Sequence, residues 1–313
     1  MRVIDAANIA QALPFDQLIP ALEQGFALGC EVPARQILSI PTPGGEVLTT
    51  MLMPAWVTGK FYGVKVINMS PANAARGLPG LHASYLLHDA ITGVPVCLMD
   101  GDELTLRRTA AASALAASYL ARQDAQHLLV VGAGRIAALL PLAYREVRDL
   151  RVVSVWARRP QEAQRLVQQW HAQGIEAQVV TDLQVAAQSA DIISCATLAT
   201  EPVIQGVWLQ PGTHLDLIGS FTPAMREADD ACWQGAAVFV DTQEALKKSG
   251  DMLGPLERGV ITPHDVRADL AALCRGQAAG RESEAQRTVF KSVGTALEDL
   301  AAAMLVHAQL PHG

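Results

Sequence analysis

The run Leu128-Leu129-Val130-Val131 passes directly into Gly132-Ala133-Gly134-Arg135-Ile136-Ala137, and this junction constrains the fold more than any other stretch of the chain. It reads as G-x-G-x-x-A at the end of a buried strand. Gly132 permits a tight turn, Gly134 lets a pyrophosphate approach the backbone, and Ala137 lets the next helix pack close to the strand. The free N–H groups and positive dipole end at the start of that helix suit phosphate oxygens. Alone the motif is weak, since nucleotide-free α/β domains also use glycine turns. Set between a clean strand and a helix, it points to a dinucleotide.

The surrounding pattern extends this reading. Strand-like runs near Val152–Arg158, Gln178–Val180, Asp191–Cys195, His214–Ile218 and Ala237–Asp241 alternate with helical stretches, one to about Val147 and one through Trp170. Such alternation predicts a parallel sheet covered by helices on both faces. The first hundred residues differ. Extended segments at 47–56, 61–69 and 82–89 are separated by Pro/Gly turn chemistry, with one helix near Phe15–Leu28 ahead of them, which predicts an antiparallel sheet. From about residue 103 an alanine-rich stretch without Gly or Pro predicts a helix buried between layers. Glu284–Gln309 reads as one long closing helix. The expected plan is an α/β chain: a doubly wound Rossmann domain over 119–287, and a β-rich α+β domain for substrate binding and dimerisation from 1–118 plus 288–313.

Composition narrows the partners. The 24 Lys+Arg and 31 Asp+Glu give a formal net charge of −7, with no Lys/Arg run, which disfavours nucleic acids and anionic membranes. Apolar runs stay short of the ~18 residues of a membrane span. The start, MRVIDAANIAQAL, lacks signal-peptide architecture, so a cytoplasmic protein is expected. Cys30, Cys97, Cys195, Cys232 and Cys274 are scattered without a C-x-x-C pair and read as reduced, buried thiols. The histidines form no metal-ligand spacing.

The second Rossmann strand bears on the cofactor. NAD-preferring sites usually end it with Asp or Glu to hold the ribose 2′-hydroxyl. Here it ends Trp156-Ala157-Arg158-Arg159, with two guanidiniums where a 2′-phosphate would lie. Arginine forms paired charge-assisted hydrogen bonds to phosphate, so NADPH is expected ahead of NADH. Arg159 is the more expendable of the two.

Five pieces then occur in order: Val64-Lys65, Arg108-Thr109-Ala110-Ala111-Ala112-Ser113, Gly132-Ala133-Gly134, Thr197-Leu198-Ala199-Thr200-Glu201-Pro202 and Phe290-Lys291-Ser292-Val293-Gly294. Over nearly the whole chain this combination resembles the ornithine cyclodeaminase/mu-crystallin family. The resemblance implies a dimerising N-terminal domain, a Rossmann domain and an active site in the cleft between them. It implies that Arg35, Lys65 and Arg108 hold a substrate carboxylate, with Lys65 and Arg108 nearest the chemistry. It also implies that Thr109 and Ser292 lie by the nicotinamide, that Thr197 sits on a cofactor-binding loop at a strand's carboxyl end, and that Val293 is on the substrate side. Lys65 is notable on its own terms, since it interrupts the apolar strand Phe61–Met69.

Three departures carry information. Cyclodeaminases have an acid/base Asp in the loop after the fifth Rossmann strand; the matching residue here is Phe221, which cannot take a proton. Gly80 stands where relatives often have Ser or Thr, and Ile136 where many carry Gln. The Phe221 loop resembles those of members that reduce cyclic ketimines. A preformed C=N bond needs only a hydride and a proton, supplied by water, by an iminium already formed in solution, or by His82 if it faces the site. His214 reads as structural. The expectation is a homodimeric, NADPH-dependent reductase of Δ1-pyrroline-2-carboxylate and Δ1-piperideine-2-carboxylate, with Phe221 as an apolar wall against the ring. The alternatives are ornithine cyclodeamination, an alanine-dehydrogenase-like reaction, or a binding protein that holds NADPH and a small ligand without turnover.

Overall fold

The computed structural model describes residues 1–310 and divides into two compact units. One comprises Met1–Arg108 and the residues from Thr295 on; the other is Thr109–Gly294.

The first unit is built on six strands, β1 (Arg2–Ile4), β2 (Gln36–Pro41), β3 (Val47–Val57), β4 (Phe61–Met69), β5 (Leu81–Asp89) and β6 (Pro95–Asp100). They lie in the order β1-β6-β5-β4-β3-β2. Strands β2 to β6 form an antiparallel meander and β1 joins in parallel beside β6. Helices α1 (Ala6–Ala12) and α2 (Phe15–Leu28) and the C-terminal helix (Ala296–Gln309) belong to the same unit. Helix α2 buries Phe15, Leu18, Ile19, Leu22 and Phe26, the i, i+3, i+4, i+7 spacing of one helical face. A Cβ on its Gly25 would come 3.0 Å from the Ala301 Cβ, so glycine allows the C-terminal helix to approach closely.

The second unit carries an eight-stranded parallel sheet: β7 (His127–Val131), β8 (Val152–Trp156), β9 (Ala177–Val179), β10 (Ile192–Cys195), β11 (His214–Leu217), β12 (Ala237–Val240), β13 (Val266–Asp269) and β14 (Thr288–Lys291). The order is β13-β12-β14-β11-β10-β7-β8-β9. The chain direction across the sheet reverses between β7 and β10, the switch point where open α/β sheets bind their ligands. The central strands are buried throughout apart from half-buried His127 at the start of β7, as a sheet covered on both faces requires. Helix α3 (Gly101–Leu120) passes from one unit to the other between Arg108 and Thr109.

Three sequence expectations need correction. The stretch 284–309 is not one helix: Thr288–Lys291 is an inner strand between β11 and β12, and the helix starts only at Ala296. Thr288 and Val289 are β-branched, all four strand residues are buried, and Gly294 turns the chain at φ 76°. The helix after the glycine turn is also short. Residues Ala137–Leu139 form a 3₁₀ turn, followed by α4 (Leu140–Tyr144). Pro141 explains this, because it has no N–H to bond the Ala137 carbonyl, yet is well placed near the start of a fresh helix. The unit boundaries fall at 108/109 and 294/295, where 118/119 and 287/288 were expected. Strand β14 draws the second boundary later. The first moves earlier because the alanine-rich half of α3 is buried in the second unit, where the Arg148 guanidinium donates to the Ala117, Ser118 and Ala121 carbonyls.

Candidate active site

In the first unit the site is organised around Lys65. The β4 alternation places Gly63, Lys65 and Ile67 on the buried face, and the register sets Lys65 opposite Met53 and Tyr85. Its side chain is 1% exposed. The ammonium donates to Asp299 Oδ1 at 2.8 Å, lies 2.7 Å from Oδ2, and donates to Thr105 Oγ1 at 3.3 Å. Arg108, from α3, meets the same acid: its Nε donates to Asp299 Oδ1 at 2.9 Å and its Nη1 to Glu298 Oε2 at 2.5 Å. Glu298 and Asp299 sit in the first turn of the C-terminal helix behind the N-cap Thr295, where the helix dipole favours carboxylates.

These charges tune one another. Burial pushes the Lys65 ammonium down to about 8 against the opposing pull of Asp299, with Arg108 adding to the depression. Burial works to raise Asp299, but the charges and hydrogen bonds of Lys65 and Arg108 outweigh it and hold the carboxyl below its ordinary value. A lysine of this kind stays cationic at neutral pH and titrates just above it.

Arg35 is half-buried in the segment immediately before β2, one residue ahead of the Gln36–Leu52 pair. His82 is not brought to this group. It is exposed on β5 and alternates onto the face opposite Tyr85 and Lys65. Tyr85 itself crosses Gly63 so closely that a Cβ there would lie 2.0 Å from its hydroxyl, which is why the strand has glycine at that point.

In the second unit the glycine turn sits at the switch point. Gly132 has φ 117° and donates its N–H to the Trp156 carbonyl at 2.8 Å. A Cβ on it would come 2.6 Å from the Ala196 carbonyl and 3.3 Å from Thr197 Cγ2. A Cβ on Gly134 would meet nothing within 4 Å, so the backbone there is open to a bulky anion. This is the cradle a dinucleotide requires: one glycine pressed against the neighbouring loop, the other facing open space. Ala137 is fully buried, Ile136 half-buried, and Arg135 exposed. After β8, Ala157 is half-buried and Arg158 and Arg159 are exposed; Arg159 also serves as the backbone N-cap of α5 (Pro160–Ala172). Tyr144 on α4 donates to Asp216 Oδ2 of β11 at 2.8 Å, anchoring the segment behind the turn.

The loop carrying Thr197 is held by a residue that the sequence reading missed. Glu227, fully buried, accepts from Thr197 N at 2.7 Å and Thr197 Oγ1 at 2.8 Å through Oε1, and from Gly219 N at 2.7 Å through Oε2. Burial raises it to about 7, Lys291 opposes that and Asp251 adds to it. Ser292 is buried, and the N–H groups of Val293 and Gly294 donate to Asp241 Oδ2 at 2.8 and 2.6 Å. Thr109 is buried within α3, and Phe221 is 39% exposed on the loop after β11. The second unit thus holds Thr109, Thr197, Phe221, Ser292 and Val293; the first holds Arg35, Lys65 and Arg108.

Sequence reasoning also missed Glu298 and Asp299. A signal was present: Thr295-Ala296-Leu297-Glu298 has the T-x-x-E form of a helix start. Running the helix back to residue 284 hid it.

The sequence profile of the ornithine cyclodeaminase/mu-crystallin family matches residues 2–313. The Δ1-pyrroline-2-carboxylate reductase of Paracoccus denitrificans (strain Pd 1222) is 44% identical over 292 residues, 92% of this chain and 90% of that protein. The Thermococcus litoralis Δ1-pyrroline-2-carboxylate reductase, solved with NADH and L-proline, superposes with a TM-score of 0.92 at 33% identity, covering 99% of this chain and 97% of the other. An archaeal alanine dehydrogenase dimer with bound NAD gives 0.91 at 29% identity, covering 99% and 95%.

Proposed function

We propose, for a chain that belongs to the ornithine cyclodeaminase/mu-crystallin family, the NADPH-dependent reduction of the cyclic ketimines Δ1-pyrroline-2-carboxylate and Δ1-piperideine-2-carboxylate to L-proline and L-pipecolate. The observation that carries this reading is the convergence of Lys65 and Arg108 on one buried point. Two cations held side by side out of bulk water suit a small carboxylate, and they fix its orientation as well as its charge. Arg35, from the segment immediately before β2, is the third cation assigned to that group.

When bound, the nicotinamide cofactor supplies the hydride, which adds to the ring C2 as nitrogen takes a proton and the C=N bond becomes CH–NH. Gly132, Gly134, Arg135 and Ile136 would hold its pyrophosphate. Arg158, with Ala157 beside it and Arg159 in a lesser role, would take the 2′-phosphate, since no carboxylate follows β8 to claim a ribose hydroxyl. Thr109 and Ser292 are assigned to the nicotinamide end, and Thr197 to the cofactor-binding loop after β10. Phe221 and Val293 supply apolar surface for the ring. Phe221 has no ionisable group with which to deprotonate an amine, which favours reduction of a preformed imine over ornithine cyclodeamination.

The chain is further proposed to act as a homodimer. The solved alanine dehydrogenase relative is a dimer, and edge strand β2 exposes Ile37, Leu38 and Ile40, an apolar edge that a partner would cover. Steady-state assays with both imines, with ornithine, and with pyruvate plus ammonia, each against NADPH and NADH, test the reading. Imine-dependent NADPH oxidation is expected; ammonia release from ornithine without reductant, or tight NADPH binding without imine turnover, overturns it.

A further inference from the structure

Lys65 and Arg108 present a physical problem. Two like charges, 1% and 8% exposed as side chains, are brought to one place, where each loses hydration and each repels the other. Asp299 resolves it. Its Oδ1 accepts from Lys65 Nζ at 2.8 Å and from Arg108 Nε at 2.9 Å, so a single oxygen fixes the position of both cations. Glu298, the preceding residue, takes Arg108 Nη1 at 2.5 Å, and two anchor points on different nitrogens lock the guanidinium plane.

Resting on the carboxylate-binding reading of Lys65 and Arg108, we propose that Asp299 is the positioning residue of that site, holding the Lys65 ammonium and the Arg108 guanidinium at one point so that both can face a substrate carboxylate together. Asp299 touches no substrate in this assignment; it acts through the two cations. A plain structural tether for the C-terminal helix would use the same hydrogen bonds, so the two roles must be separated by a readout that follows charge.

The groups facing Lys65 are Asp299 and Glu298 from the C-terminal helix, Arg108 and Thr105 from α3, and Tyr85 from β5, with apolar Met53 from β3. Among these Asp299 is the carboxylate bonded to the ammonium. Removing its charge while keeping its shape must make the ammonium easier to deprotonate. In the intact protein Lys65 loses its proton near 8, so kcat/KM for an imino acid should fall above that pH as the anion loses one of its cations.

The test compares wild type, Asp299→Asn and Asp299→Glu. With lysines carrying a ¹³C-labelled ε-carbon, and the Lys65 signal assigned by its absence in Lys65→Arg, the Lys65 titration midpoint near 8 should drop by about one pH unit or more in Asp299→Asn. In the same variant the imine KM at pH 7.5 should rise about tenfold or more, with the KM for NADPH little changed and the basic limb of kcat/KM moved to lower pH. Asp299→Glu keeps the charge but displaces the oxygen by one methylene. Its Lys65 midpoint should stay near 8 while the imine KM rises. A Lys65 midpoint unmoved in Asp299→Asn overturns the proposal, as does an imine KM unchanged in Asp299→Glu; the second remains decisive if the asparagine variant does not fold. The NMR titration does not depend on turnover. Wild-type protein inactive on both imines therefore defeats the functional reading separately from this one.

Discussion

At the scale of single residues, function turns on planar and point charges that are not interchangeable. Arg108 uses Nε and Nη1 on two different acids, and a lysine would replace that planar fork with a single point charge. Arg108→Lys is expected to lower kcat/KM for the imine by about 10- to 100-fold, the worth of a charged hydrogen bond or more, with a smaller effect on NADPH affinity. An unchanged kcat/KM in steady-state assays would remove Arg108 from the carboxylate site. Arg158→Ala makes the complementary case: with the 2′-phosphate as the proposed partner of Arg158, KM for NADPH should rise about tenfold while that for NADH holds. Equal losses with both cofactors would point to a folding defect. Of the residues read from the sequence, Lys65 was the most legible, since a lone lysine in an apolar strand needs a buried partner. The identity of that partner, Asp299, was not legible.

At the scale of elements, the glycine turn was legible as a turn, but the broken helix after it was not. The strand, the two glycines and the buried Ala137 are local features, whereas Pro141 reduces the helix to a 3₁₀ turn and a short α4. Gly132→Ala should be costly on two counts, a φ of 117° and a Cβ pressed to 2.6 Å from the Ala196 carbonyl. The expected loss is about 1–3 kcal/mol of stability together with weakened dinucleotide binding. Denaturant unfolding and fluorescence titration with NADPH check both parts; a variant of wild-type stability would mean that the loop at Ala196 yields freely. The misread C-terminal segment has a similar cause. The strand Thr288–Lys291 is only four residues, two of them β-branched and one a lysine, beside a long apolar helix, and only its neighbours β11 and β12 define it as a strand. Once the helix start is set at Thr295, the Glu298–Asp299 pair becomes an acidic first turn with a task.

At the scale of the whole molecule, buried titratable groups set how stability responds to pH. His214 is fully buried in β11, bonded through Nδ1 to Thr288 Oγ1 at 2.9 Å, and burial lowers its pKa to about 3. Its unfolded form takes a proton at the ordinary 6.5, so the stability it contributes is present above 6.5 and is lost as pH falls from there toward 3, at about 1.4 kcal/mol per pH unit. Glu227 runs the other way. Its raised pKa means the folded state takes up a proton first, so stability grows as pH falls from about 7 toward 4.5. The two effects oppose each other between 6.5 and 4.5. His214→Asn, compared with wild type by urea unfolding, should therefore cost less at pH 5 than at pH 7.5, by up to about 2 kcal/mol. An equal cost at both pH values would show that His214 does not remain neutral in the folded protein. The sequence by itself determined the parallel-sheet unit, its glycine turn and the antiparallel β-rich unit, because aliphatic runs, glycine turns and alternation are written within a few residues of one another. Tertiary structure alone decided that Thr288–Lys291 is a strand, that Glu227 clasps the Thr197 and Gly219 loops, and that Lys65, Arg108, Glu298 and Asp299 form one charge cluster. Strand pairing and buried ion pairs join residues far apart in the chain, and no local pattern records which distant partner will satisfy a buried charge.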